Sequence, residues 1–103
     1  MARTKGVDFF RKVALGFGET LVLNTTSLYT QSFRVHSLSN NNGQFYIGDV
    51  DINNQAEPLL PGAHFEYSQG NERDLWWDLS NIYAVGDNIG DVIVVTYEKY
   101  IES

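Results

Sequence analysis

Residues 91–97, Asp-Val-Ile-Val-Val-Thr-Tyr, form the densest apolar run in the chain and limit most what it can fold into. Val92 to Val95 is apolar on both sides of an extended backbone, which predicts a strand covered on both faces. The run closes residues 76–97, which read as two strands joined by a turn at Gly86-Asp87-Asn88. That hairpin is expected to be the spine of the domain.

The remaining apolar runs are short and alternate. Residues 19–24 place Leu21 and Leu23 on one face, residues 32–38 place Phe33 and Val35 inward with Arg34 and His36 outward, and residues 63–68 pair Phe65 with Tyr67. Between them lie turn signals. The Ser39-Asn40-Asn41-Asn42-Gly43 cluster, whose Asn and Gly tolerate positive φ, predicts a hairpin over residues 32–48. Pro58 and Pro61 exclude a central strand there, and Pro61-Gly62 fits the middle of a type II turn. Residues 25–31 read as a polar loop. Strands of this length, with turns every eight to twelve residues, predict an all-β antiparallel sandwich or small barrel of about 6–8 short strands carrying an N-terminal arm.

That arm is ambiguous. Val7, Phe9, Val13, Leu15 and Phe17 fall on one side of a strand interrupted by Arg11, whereas Val7, Phe10, Ala14 and Phe17 fall on one stripe of a helix. Adjacent Phe9 and Phe10 carry more apolar surface than a solvated tail needs. The segment is therefore expected to pack on its own domain or on a partner.

With 103 residues and no cysteine, the chain is read as an N-terminal basic arm, residues 1–15, on one β domain, residues 16–103, held by a single core without disulfides. No apolar stretch approaches the roughly 18 residues of a membrane span, and no signal peptide is recognised at the N-terminus. Charge is divided. Arg3, Lys5, Arg11 and Lys12 against Asp8 give residues 1–12 a net +3, and the remainder carries −9. The acidic body is expected to repel nucleic acid and anionic membrane. The basic arm is expected to lie on the acidic surface of a neighbouring copy.

No constellation points to catalysis. His36 and His64 stand on separate strands without a recognisable nucleophile or carboxylate partner, so no enzyme and no cofactor is expected. Asp49, Asp51 and Asn53 resemble the start of a calcium loop. The sixth position is Asn54 instead of Gly, and the twelfth is Leu60 instead of Glu, so Asx side chains capping their own turn are the better reading. Asp87, Asn88 and Asp91 repeat that pattern more weakly. Trp76 and Trp77 are adjacent and point to opposite faces of a strand, one to the core and one outward, where it can fill a partner's pocket or stack on a sugar.

Taken in order, Phe33-Arg-Val-His-Ser-Leu-Ser-Asn40, Phe45-Tyr-Ile-Gly-Asp49, Pro58-Leu-Leu-Pro-Gly62, Asp78-Leu-Ser-Asn-Ile-Tyr-Ala-Val-Gly-Asp87 and Asp91-Val-Ile-Val-Val-Thr-Tyr-Glu98 resemble small virion structural proteins of tailed bacteriophages, over residues 17–98. The resemblance implies a β-sandwich repeated in symmetric copies as a head decoration or cement protein, or within the neck or tail. It implies partners among copies of itself and other virion proteins, synthesis in the host bacterial cytoplasm, and no catalytic residues. The basic arm and the tryptophan pair lie outside the shared pattern. Arg3, Lys5, Phe9, Phe10, Arg11, Lys12, Trp76 and Trp77 are the expected contact residues. A carbohydrate- or host-receptor-binding module on a fibre or spike is the alternative.

Overall fold

A computed structural model describes residues 3–15, 19–68 and 76–102. The chain is all-β, and nine strands are formed among the described residues. They are β1 (Arg3–Val13), β2 (Thr20–Val22), β3 (Tyr29–Thr30), β4 (Ser32–Ser37), β5 (Phe45–Gly48), β6 (His64–Ser68), β7 (Trp77–Asp78), β8 (Tyr83–Gly86) and β9 (Val92–Glu102). Three sheets result, ordered β1-β9-β4-β6, β2-β8-β5 and β3-β7. All pairings are antiparallel.

One apolar cluster joins the two larger sheets. Phe33, Val35, Ile93 and Val95 enter it from the four-stranded sheet, and Leu21, Phe45 and Ala84 from the three-stranded one. The strand alternation read from the sequence explains this, because Val35↔Val95 and Phe33↔Tyr97 are register partners and so point the same way. Leu23, Leu59 and Leu79 fill the cluster from outside the strands and are fully buried.

Both expected hairpins are replaced by crossings between sheets. β4 lies in the four-stranded sheet and β5 in the three-stranded one, and β8 and β9 divide in the same way. Residues 38–44 and 87–91 therefore pass the chain across the core. The Asn-rich turn also works differently from the positive-φ expectation, since among the described residues only Gly62 and Gly90 have positive φ. Its side chains do the work instead. Asn41 Nδ2 donates to Ser37 Oγ at 2.9 Å and to Val92 O at 2.8 Å, and its Oδ1 accepts from Val92 N at 2.9 Å. Asp91, 4% exposed, accepts from Asn42 N at 3.0 Å and Gly43 N at 2.9 Å. The Pro61-Gly62 turn forms as expected: Ala63 N donates to Leu60 O at 2.9 Å and Gly62 has φ +84°, the geometry that favours glycine at the third position of a type II turn.

β9 is central in its sheet, but it is not covered on both faces. Ile93 and Val95 are buried, whereas Val92 and Val94 are half-buried on the outer face. β1 and β4 flank it instead. Residues 3–13 form an edge strand of this sheet. They pair with β9 of their own chain from Arg3↔Glu102 to Val13↔Val92.

Candidate interaction surface

Register assigns each β1 side chain to a face. Phe10 is opposite Val95, Lys12 opposite Ile93 and Asp8 opposite Tyr97, so these three share the inner face. Phe10 packs on Tyr97 with ring centroids 6.0 Å apart. Lys5, Val7, Phe9, Arg11 and Val13 share the outer face. The alternating apolar set recognised in the sequence thus points away from the core, and Val7, Phe9 and Val13 are 69%, 63% and 49% exposed. Apolar side chains clustered on one strand in water are unlike the scattered exposed residues of an ordinary surface.

The backbone of β1 is equally open. Ala14 N donates to Asp91 O at 2.8 Å and Ala14 O accepts from Gly90 N at 3.0 Å. Even-numbered residues therefore turn their backbone groups to β9. By the two-residue alternation of an antiparallel strand, Lys5, Val7, Phe9, Arg11 and Val13 turn theirs to the free edge. Phe9 N fits this pattern, because it donates to its neighbour's carboxylate, Asp8 Oδ1, at 2.8 Å. That bond, followed by the charge of Lys99, lowers the Asp8 pKa. At the other edge of the sheet, Ser37 N donates to Ala63 O and Gly62 N to Ser37 O, both at 2.9 Å. Ala63, Phe65 and Tyr67 hence face β4, and His64, Glu66 and Ser68 direct their backbone groups outward.

The expected arm residues meet on this strand. Lys5 lies 3.9 Å from Glu98, so the basic segment rests on acidic groups of its own β9. Arg11 is exposed and makes no ion pair among the described residues. Arg3 belongs to β1, but its side chain lies outside the described residues. A groove of about 480 Å³ runs across the outer face between Val7 and Ser68, bounded also by Arg34, Glu66 and Glu98.

The tryptophans are placed elsewhere. Trp77 is half-buried and meets Phe33 edge-on at 5.6 Å and Tyr67 at 5.7 Å. Its indole Nε1 is buried without an acceptor among the described residues. Trp76 is 46% exposed. Trp76 precedes β7 and is exposed, whereas Trp77 within β7 packs inward. Both sit on the β3-β7 side of the molecule, away from the β1 edge.

Asp49, Asp51 and Asn53 lie in a turn held by their own local hydrogen bonds. Asp51 N donates to Asp49 Oδ1 at 2.9 Å and Gln55 N to Asn53 Oδ1 at 2.8 Å. These are Asx caps of the local turn, as the sequence reading expected. No group of three or more His, Asp or Glu is gathered for a metal among the described residues. Asp91 and Asp87 are likewise engaged, Asp91 in the turn latch and Asp87 with Tyr46 Oη at 3.2 Å. His64 has Glu66 at 3.5 Å on the exposed outer face, and His36 is opposite His64 in register.

Sequence reasoning missed Glu66 and the outward aim of Val7 and Val13. The alternation put Val7, Phe9 and Val13 on one face, and Arg11 on that same face was the signal that it is the solvated one. Fold and surface together define an open, all-β protein in which β1 and β6 are, among the described residues, the two edges of the larger sheet. No family model, curated protein or solved structure matches this chain.

Proposed function

We propose that this chain is a non-enzymatic structural protein of a tailed-phage virion, acting by contact with copies of itself and with other virion proteins to decorate or stabilise the capsid or to build the neck or tail. The ordered motifs over residues 17–98 support the virion assignment. One observation carries the structural role: an edge strand of 11 residues presents both outward-facing backbone groups and exposed Val7, Phe9 and Val13. A solitary protein normally blunts such an edge, because it templates pairing with another chain.

The test is composition of the particle. Phage particles purified from cells making the chain are expected to contain it in a fixed, stoichiometric ratio to the major capsid protein, as read by quantitative mass spectrometry. Particles that lack it, while the infected cell contains it, would refute the role. Exposed Trp76 supports the receptor-binding alternative. Binding of host glycans by the isolated chain, lost in Trp76→Ala, would favour that reading.

A further inference from the structure

We propose that copies join head to tail through the two edges of the four-stranded sheet, β6 of one copy pairing antiparallel with β1 of the next. The inference rests on the structural role above and names the surface through which that role is exercised.

Three independent features select this partner. The first is direction. In an antiparallel sheet of four strands the two edge strands run oppositely, so a further copy added in the same orientation presents β1 antiparallel to β6 without inverting its faces. The second is the hydrogen-bonding phase. On β1 the residues whose backbone groups face away from β9 are the outer-face set Val7, Phe9, Arg11 and Val13, and on β6 those facing away from β4 are the outer-face set His64, Glu66 and Ser68. Outer face therefore meets outer face and outward backbone group meets outward backbone group in the same registers.

The third feature is charge. β1 carries Lys5, Arg11 and Lys12 against Asp8, so β1 against β1 places like charges together. β6 carries Glu66, and the adjoining groove of about 500 Å³ is bordered by Glu57, Ile47 and Phe65. Among the permitted registers, the one that sets Glu66 opposite Arg11 also sets Tyr67 opposite Phe10, Ser68 opposite Phe9 and His64 opposite Val13. Lys12 then falls opposite Phe65, on the side where Glu57 lies. Arg11, without an ion pair among the described residues, gains its carboxylate, and Phe9 gains a neighbouring strand. Repetition of this contact is heterologous: it closes a ring where the rotation per copy divides a full turn and otherwise extends a row.

The test is a charge exchange in the full chain, with association measured by sedimentation velocity over a concentration series. Arg11→Glu and Glu66→Arg are each expected to weaken association roughly tenfold, because an opposite-charge cross-strand pair becomes a like-charge one. The double exchange is expected to restore it. Near-UV circular dichroism of the two tryptophans checks that each variant keeps its fold. A wild-type chain that stays monomeric throughout, or a double variant as weak as the weaker single one, overturns the pairing. On the particle, uptake of both single variants at the wild-type level also overturns the pairing but leaves the virion role standing, whereas absence of the wild-type chain overturns the role itself.

Discussion

At the scale of single residues, stability rests on a few carboxylates and amides that tie the sheet crossings. Asp91 accepts two backbone N–H groups from a turn 48 and 49 residues earlier. Asp91→Ala leaves both donors without this acceptor. It is expected to cost about 2 kcal/mol in chemical denaturation, the order found when a buried partner is removed from a hydrogen bond. Asp78 has a comparable task. Its carboxylate accepts from Ser80 N at 3.0 Å, Leu28 N at 3.2 Å and Ser27 Oγ at 3.2 Å. The bond from Ser80 N is the main cause that lowers its pKa below the ordinary 3.8, outweighing partial desolvation. Asp78 thus binds its proton more weakly folded than unfolded. The stability it lends is complete above the ordinary carboxylate range and is lost as pH falls through its lower folded value. Asp78→Asn is expected to flatten the acid limb of the melting temperature while lowering the neutral value, as thermal melts from neutral pH to below pH 3.8 would show. None of these links was legible in the sequence. The residue types marked turns correctly, but the donors lie tens of residues away, and only folding brings them into reach.

At the scale of elements, strands were legible and their partners were not. Leu21, Leu23, Phe33 and Val35 are buried where alternation placed them, because period two is a property of a single strand. Which strand sits beside it depends on the whole core. The hairpin readings of 32–48 and 76–97 failed for that reason. Tyr29 and Thr30, in a stretch that looks like polar loop, pair with β7 because Asp78 anchors the neighbouring backbone. β1 shows the same division. Its sequence allowed helix or strand, and the eleven-residue ladder along β9 decides for strand. Deletion of residues 1–13 is therefore expected to damage the domain itself. Phe10 leaves the cluster's margin and β9 loses one neighbour, so the melting temperature should fall by more than about 10 °C. A deletion variant that melts like the intact chain would show that β1 contributes nothing to the domain's stability.

At the scale of the molecule, shape and charge follow from the same ladder. The radius of gyration is 14.1 Å and the extents are 47 × 25 × 23 Å, against about 13 Å for a compact chain of this length. β4 pairs with β9 only from Phe33↔Tyr97 to Ser37↔Ile93. Past Tyr97 the β4 pairing ends, Thr30 Oγ1 donates to Glu98 O at 2.7 Å, and the β1–β9 ladder continues to Arg3↔Glu102. Arg11 on β1 and Glu66 on the far edge are both exposed, so association through them is expected to weaken steadily as salt is raised from about 0.05 to 0.5 M, where screening shortens to a few ångströms. Calcium is expected to behave differently from bulk salt only through screening. Millimolar calcium should leave the melting temperature unshifted, in keeping with the capped oxygens at Asp49 and Asn53.

The position of β9 carries one more consequence, which concerns synthesis. The strand that β1 and β4 both need is made after both of them, so the largest sheet of the domain stays unbuilt until β9 has left the ribosome. During that interval β1 has no cognate partner. On crowded polysomes it is free to take the β9 of a neighbouring nascent chain, giving an exchanged dimer whose ladders match those of the monomer.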